Sequence, residues 1–281
     1  MRAFVAAILP ALCGAFVWGA DAWAGAVQTH TFASATLKRP WQYEVYLPDG
    51  YGSRKLRYPV VYLLHGNGGV PNDWVTQGGL QDTVDRLIAQ RALPPVVIVM
   101  PEGETDWYVD RKEPIESAFF DDLIPHIEAR YAVDPRREAR VIGGVSMGGF
   151  GALRYALTRP ERFCGALLLS PAIYADLPPA SSAARRVGVF GSSAFDPAIW
   201  HALNYPALWG DYLRQSARVS MFIGAGSDDR PIAGDASALY ERLRRAGNPA
   251  TLDLVAGGHT WEVWRTLLGP GLAYALSCTA R

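Results

Sequence analysis

A pentapeptide of the form G-x-S-x-G puts one serine where it could act as a nucleophile. It occupies residues 144–148 and centres on Ser146. The β-forming residues at 141–142 favour a buried strand before it, and the apolar residues after it favour a helix. A sharp, glycine-flanked turn between strand and helix holds such a serine in a strained position from which it protrudes. The backbone N–H of Met147, at the start of the helix, would then point toward an anion formed beside the serine.

Candidate partners for this serine follow later in the chain. His259 comes after the last predicted strand (251–255), and Asp228 and Asp229 come after the strand predicted at 219–223. The order Ser, Asp, His, with each residue at the carboxyl end of a strand, is that of an α/β-hydrolase triad. There the histidine takes the proton of the serine and the carboxylate orients the histidine. We favour Asp229 as the acid and keep Asp228 as the alternative.

A glycine-rich loop at 65–69 could supply a second donor for the same anion. It follows the continuous apolar run 58–64, which predicts a strand covered on both faces. Ligands of open α/β sheets bind at the carboxyl ends of such strands. We therefore predict that the backbone N–H groups of Asn67 and Met147 form an oxyanion hole. His65 is predicted to have a structural role in this loop and not to act as the base.

The elements that carry these loops alternate between strands and helices. This pattern predicts an α/β-hydrolase fold, with a mostly parallel central sheet and helices on both faces. An edge strand at 29–37 and a half-buried antiparallel strand at 41–47 precede it, and a helix is predicted at 119–131. From about 173 to 217 the alternation lapses, so we expect this insertion to form a partial cap over the site.

Aromatic residues mark the candidate substrate-binding positions. Trp107 and Tyr108 lie on a loop predicted above the same edge of the sheet, and Trp261 begins the last predicted helix. We predict that all three contact the substrate. The alternative for the loop is ordinary surface packing.

The composition sets limits on the possible partners. The chain has 281 residues, 49% of them hydrophobic, and a formal net charge of +0. Nothing in this balance indicates binding to nucleic acid or to an anionic membrane surface. Outside the N-terminal segment two cysteines remain, Cys164 and Cys278, and the sequence leaves open whether they form a disulfide or two buried thiols.

The N-terminus has the pattern of a targeting segment. Arg2 is followed by an uncharged apolar stretch at 3–18 and by an A-x-A site that ends at Ala24. We predict a signal peptide at 1–24, with cleavage after Ala22 or Ala26 as the alternatives, a mature domain at 25–281, and export to the periplasm or the medium. After removal of the signal, no stable insertion into a membrane is expected. The alternative is an uncleaved membrane anchor.

Five segments resemble the esterase D-like branch of the α/β-hydrolases in combination: YPVVYLLHGNGG, WYVD, DDLIPHIEARY, GGVSMGGFGALRYALTRPERF and GGHTWEVW. That branch includes feruloyl esterases, acetyl-xylan esterases, S-formylglutathione hydrolases and mycolyltransferases. The resemblance runs over about residues 41–268. In feruloyl esterases the acid is the last residue of a G-x-x-D pattern, which falls here on Asp229. The resemblance also implies Ser146 as nucleophile, His259 as base, and Asn67 and Met147 as oxyanion donors.

The residues and the resemblance together predict an exported serine esterase that acts through an acyl-enzyme. No metal and no cofactor are expected, and the substrate would be a small-molecule or polysaccharide-linked ester. The first alternative is an acyltransferase of the mycolyltransferase or diacylglycerol acyltransferase type, which uses the same triad with an alcohol in place of water. The second is a binding protein that keeps the fold without catalysis.

Overall fold

A single mixed sheet forms the centre of the molecule. The computed structural model describes residues 24–53 and 56–280, so the predicted signal peptide lies outside them except for Ala24. Within this part of the chain the strands are β1 (Ala26–Ser34), β2 (Arg39–Leu47), β3 (Val60–Leu64), β4 (Val97–Pro101), β5 (Arg140–Val145), β6 (Gly165–Leu169), β7 (Ser220–Gly226) and β8 (Ala250–Val255).

The strand order in space confirms the predicted mostly parallel sheet. The order is β1-β2-β4-β3-β5-β6-β7-β8. β1 pairs with β2, and β2 with β4, in antiparallel fashion, whereas β4, β3, β5, β6, β7 and β8 are parallel to one another. The carboxyl ends of the parallel strands therefore share one edge of the sheet, which is where ligands bind in open α/β folds.

Helices cover both faces of this sheet. The α-helices in the described part of the chain are α1 (Asp73–Thr76), α2 (Leu80–Ala89), α3 (Ile115–Ala118), α4 (Ile124–Arg130), α5 (Met147–Thr158), α6 (Pro197–Leu203), α7 (Tyr205–Arg214), α8 (Ile232–Arg245) and α9 (Trp261–Leu276). A π-helical turn spans Phe119–Leu123, and 3₁₀ turns span Arg137–Ala139, Ala183–Arg185 and Ser277–Ala280. Among the residues described, no helix combines the length and the apolar character needed to cross a bilayer.

The position of β3 between two hydrophobic cores explains why all of its residues are apolar. Val60, Tyr62 and Leu64 pack in the core on one face, with residues of α4, α5 and α8. Val61 and Leu63 pack in the core on the other face, with residues of α2 and α9. Because successive side chains of a strand point to opposite faces, a strand between two cores needs an apolar residue at every position.

The prediction that β2 is half-buried was wrong. The alternation predicts that Gln42, Glu44 and Tyr46 share the solvent-facing side of the strand. Of these three residues Gln42 is exposed, whereas Glu44 and Tyr46 are buried. The Tyr46 hydroxyl donates a hydrogen bond to Asp85 Oδ1 of α2 at 2.6 Å. The helix α2 thus covers this face, and β2 lies inside the sheet between β1 and β4, so alternation of residue types did not reveal its burial.

The helix predicted at 119–131 starts earlier and is not uniform. Helical structure runs from Ile115 to Arg130 and includes the π turn at Phe119–Leu123. In that turn Asp122 accepts hydrogen bonds from Ser34 Oγ at 2.5 Å and from the Thr36 backbone N–H at 2.8 Å. These bonds connect the π turn to the connection between β1 and β2.

The segment 173–217 contains α6, α7 and the 3₁₀ turn at Ala183–Arg185. Asn204, between α6 and α7, connects this junction to the start of the segment, because its side-chain Nδ2 donates to the carbonyl oxygens of Ile173 (2.6 Å) and Tyr174 (2.8 Å). Its Oδ1 accepts from the backbone N–H of Tyr205 at 2.8 Å and caps α7. The helix α7 packs against α5, the helix that follows Ser146.

A disulfide connects the two remaining cysteines. Cys164 immediately precedes β6, and Cys278 lies in the last 3₁₀ turn, 114 residues further along the chain. The bond ties the C-terminal segment to the end of the central sheet at which β6 begins.

Removing this disulfide is expected to destabilise the protein by about 4 kcal/mol, because a cross-link over a loop of this length restricts the unfolded chain strongly. Thermal unfolding of the wild type and of a Cys164→Ser/Cys278→Ser variant, each with and without dithiothreitol, measures this. We expect the reductant to lower the melting temperature of the wild type and to leave that of the variant unchanged. Equal melting temperatures for the two proteins without reductant would contradict the expectation.

Candidate active site

The turn around Ser146 has the strained geometry that its sequence predicts. Ser146 joins β5 to α5 with φ 56° and ψ −114°, in the positive-φ region that residues other than glycine rarely adopt. Its N–H donates to the Leu169 carbonyl at 2.9 Å, and its own carbonyl accepts from the N–H groups of Phe150 and Ala172, each at 3.0 Å. These bonds to both sides of the turn hold the strained conformation in place.

The glycines of the pentapeptide are required by close backbone contacts. A Cβ atom at Gly148 would lie 2.1 Å from the Leu64 carbonyl oxygen, and one at Gly144 would lie 2.3 Å from the Gly148 carbonyl group. Real Cβ atoms do not approach backbone atoms so closely. The turn therefore packs against the end of β3 at a distance that excludes any side chain.

The loops that carry Asp229 and His259 are in direct contact. The Asp228 N–H donates to the Gly257 carbonyl at 2.9 Å, which connects the loop after β7 to the loop after β8. A Cβ atom at Gly226 would lie 2.2 Å from the same Gly257 oxygen. The absence of a side chain at Gly226 thus allows the two loops to meet.

A continuous chain of hydrogen bonds joins the three predicted residues. His259 Nδ1 lies 2.7 Å from Asp229 Oδ2, and His259 Nε2 lies 2.9 Å from Ser146 Oγ. Since a carboxylate accepts hydrogen bonds, Nδ1 donates to Asp229, and Nε2 is left to accept from the serine hydroxyl. Asp229 is buried, whereas Asp228 is exposed and makes no side-chain bond to the histidine.

A tryptophan that is not among the predicted site residues supports the histidine. The Trp264 ring meets the His259 ring edge-to-face, with 5.0 Å between centroids. The Trp264 Nε1–H donates to Ser170 Oγ at 3.0 Å, so the indole is itself fixed. The position of Trp264 in the first turn of α9, five residues after the histidine, is the signal that could have indicated this contact.

The two predicted oxyanion donors lie beside the serine. A Cβ atom at Gly66 would be 3.6 Å from the Ser146 Cβ, which shows how closely the glycine-rich loop approaches. Among the described residues, no acceptor takes a hydrogen bond from the backbone N–H of Asn67 or of Met147. Both N–H groups are therefore available to a ligand atom next to the serine.

The side chain of His65 stabilises the glycine-rich loop through hydrogen bonds. Its ring is fully buried, with Nδ1 2.8 Å from the Gly66 carbonyl oxygen and Nε2 3.0 Å from Glu102 Oε1. Burial disfavours the charged form of Glu102, but hydrogen bonds from His65 and from two backbone N–H groups outweigh burial and lower the pKa of this carboxyl. Glu102 was not predicted; its position directly after β4, next to β3 in the sheet, is the available signal.

Two cavities meet at the hydrogen-bonded serine. The first has a volume of about 360 Å³ and lies under the segment 173–217. We call it the cap cavity. The residues in its wall include Trp107, Tyr174, Ser182, Arg186 and Arg230. The second, about 240 Å³, lies beside the glycine-rich loop, and we call it the loop cavity; it is lined by residues 66–69 with Asp73, Gln77, Trp261 and Trp264. Both cavities include Asn67, Ser146 and His259 in their walls.

A larger groove of about 710 Å³ lies elsewhere, between α7 and α8, and contains none of the predicted site residues. Its size does not indicate function, because it holds neither a nucleophile with a base nor the ends of parallel strands.

The three predicted substrate contacts have different positions. Trp107 lines the cap cavity and Trp261 the loop cavity. Tyr108 lines neither, which differs from the prediction: its side chain is buried against Gly151, and its hydroxyl donates to the His65 carbonyl at 3.2 Å. Burial, reinforced by the Glu102 carboxylate, raises the pKa of the Tyr108 phenol well above its usual value.

The sheet and the Ser–His–Asp arrangement at its carboxyl edge define the α/β-hydrolase fold. Within that fold, the family model described as "Putative esterase" matches residues 34–275. The chain therefore belongs to this esterase family, which confirms the resemblance found in the sequence.

Individual relatives carry esterase names. The endo-1,4-beta-xylanase/feruloyl esterase of Xylanibacter ruminicola is 34% identical over 160 residues, covering 53% of this chain and 22% of that protein. An esterase of Mycobacterium tuberculosis is 30% identical, covering 78% of this chain and 52% of its own length. The chain thus spans about a fifth of the length of the first protein and about half of the length of the second. A solved ferulic acid esterase superposes with a TM-score of 0.77 at 26% identity, covering 92% and 99% of the two chains.

The close packing of the turn around Ser146 can be tested by substituting Gly148. Gly148→Ala is expected to lower the free energy of unfolding by about 1–3 kcal/mol, because the added methyl group must displace the backbone of β3. Gly234→Ala is the matched control: Gly234 lies in α8, and a Cβ atom there meets nothing within 4 Å. The control should raise stability by up to about 1 kcal/mol. Similar urea unfolding curves for the two variants would refute the packing argument.

Proposed function

We propose that this chain hydrolyses carboxylic esters through an acyl-enzyme formed on Ser146. One observation carries the proposal: Asp229, His259 and Ser146 form an unbroken chain of hydrogen bonds of 2.7 and 2.9 Å at the point where two cavities meet. A serine hydroxyl is a weak nucleophile unless a base lies within hydrogen-bond reach, and His259 Nε2 meets that condition. Membership of the esterase family supports the same activity.

The first half of the reaction forms the acyl-enzyme. The ester carbonyl would lie between the two cavities, and Ser146 Oγ would attack its carbon as His259 Nε2 takes the hydroxyl proton. The negative charge that develops on the carbonyl oxygen would be stabilised by the backbone N–H groups of Asn67 and Met147. Collapse of the intermediate breaks the bond to the alcohol oxygen, which leaves with the proton from His259.

The second half of the reaction releases the acid. A water molecule replaces the alcohol, gives a proton to His259 Nε2 and attacks the acyl carbon. The intermediate then expels Ser146 Oγ, which recovers its proton from the histidine. Throughout, Asp229 keeps Nδ1 protonated and stabilises the imidazolium that forms twice in each cycle.

The substrate class and the cellular location are also part of the proposal. The names of the relatives include feruloyl esterase and ferulic acid esterase, and we propose a small or polysaccharide-linked ester as the substrate of this chain. We propose further that the protein acts after export, in the periplasm or outside the cell. The apolar N-terminal pattern and the Cys164–Cys278 disulfide support this, since disulfides persist in oxidising compartments.

Hydrolysis of a p-nitrophenyl ester tests the mechanism. Ser146→Ala should lower kcat by about 10⁶, and Asp229→Asn should lower it by about 10⁴ because the histidine would adopt the wrong tautomer. Asp228→Asn is the matched control, since the neighbouring carboxylate is exposed and makes no bond to His259. The control should keep activity near that of the wild type.

Circular dichroism of each variant would establish that the protein is folded. Wild-type activity in Ser146→Ala, or equal losses in the two aspartate variants, would refute the proposed roles.

A further inference from the structure

The cap cavity carries two arginines that come from separate parts of the chain. Arg186 follows the 3₁₀ turn of the segment 173–217, and Arg230 lies in the loop between β7 and α8. Both line the same 360 Å³ cavity as Ser146. The wall of the cavity therefore includes two arginines from separate elements, and both residues are exposed to solvent.

No carboxylate of the described residues forms an ion pair with either guanidinium. Among the described residues, no Asp or Glu oxygen lies within 4.0 Å of the side-chain nitrogens of Arg186 or Arg230. Within the described part of the chain, the side chain of Arg186 makes one hydrogen bond, a long one of 3.4 Å to the Ala180 carbonyl. The described acid in the cavity wall is Asp229, whose Oδ2 is engaged by His259. The donors of both arginines thus remain available to a ligand.

The wall of the loop cavity contains an acidic side chain where that of the cap cavity contains two arginines. Its wall contains the carboxylate of Asp73, the amide of Gln77 and the glycine-rich backbone, and no described lysine or arginine. Asp73 Oδ1 accepts from Gln77 Nε2 at 2.7 Å, and its Oδ2 accepts from the Val70 N–H at 2.9 Å. An anionic group would be repelled by this carboxylate and attracted by the arginines, so the charges distinguish the two sides of Ser146.

We propose that the part of the ester held in the cap cavity carries a carboxylate, with Arg186 and Arg230 as the residues that select it. The uncharged part of the ester then occupies the loop cavity. Guanidinium groups form charge-assisted hydrogen bonds to carboxylates, and two positive charges would offset the charge of the substrate close to the developing oxyanion. This inference rests on the proposed esterase activity.

Paired substrates that differ only in charge test the inference. The p-nitrophenyl monoester of glutaric acid and its terminal carboxamide place the charge on the acyl side; 4-acetoxybenzoate and 4-acetoxybenzamide place it on the alcohol side. The measurement is the ratio of kcat/KM for carboxylate over carboxamide. For the pair whose variable group reaches the cap cavity, this ratio should be about tenfold lower in Arg186→Gln/Arg230→Gln than in the wild type.

Three comparisons separate charge recognition from other effects. Arg186→Lys/Arg230→Lys keeps the charge and should recover most of the ratio, whereas a loss of cavity shape would not be rescued. Arg86→Gln removes an exposed arginine of α2 outside both cavities and should leave the ratio unchanged. Added salt should lower the ratio of the wild type and have little effect on that of the glutamine variant.

The outcomes of this experiment are distinct. Equal ratios in the wild type and the double glutamine variant, for both pairs, would overturn the inference while Ser146-dependent hydrolysis still stood. If the wild type hydrolysed none of the four esters, the proposed esterase function would fail, and the inference with it.

Discussion

The register of the parallel strands is the constraint on which the site depends. Val145 pairs with Leu169, and Gly226 pairs with Val255, so neighbouring strands end level with each other. The residues that follow these ends therefore emerge at one edge of the sheet. Because hydrogen bonds tolerate errors of only a few tenths of an ångström, a shift by one residue in either register would separate the serine, histidine and aspartate. The two apolar cores that fix the registers thus also fix the chemistry.

The parts of the site that follow from strand ends were predictable from the sequence. A run of apolar residues identifies a buried strand, and the residue after it must lie at the ligand-binding edge. On that basis Ser146, Asp229 and His259 could be named before their distances were known. Which of two adjacent aspartates faces the histidine was less certain, because it depends on the shape of one short loop. The hydrogen bond between Asp228 and Gly257 fixes that shape.

The parts that depend on packing between distant segments could not be predicted in the same way. Tyr108 lies in an aromatic stretch of a loop, which suggested contact with the substrate, yet it is packed under the glycine-rich loop. Similarly, the alternating pattern of β2 gave no sign of the helix that covers its polar face. The convergence of Arg186 and Arg230 on one cavity has no local pattern at all, since 43 intervening residues contain two helices and a strand.

Covalent labelling tests the central claim most directly, because it reports the reactivity of one atom without knowledge of the substrate. The protein is incubated with a fluorophosphonate probe, and the modified residue is located by peptide mass spectrometry. We predict a single adduct on Ser146, with labelling strongly reduced in His259→Ala, since the hydroxyl then lacks its base. An adduct on another serine, such as Ser182 in the cap cavity, or no adduct at all, would contradict the account.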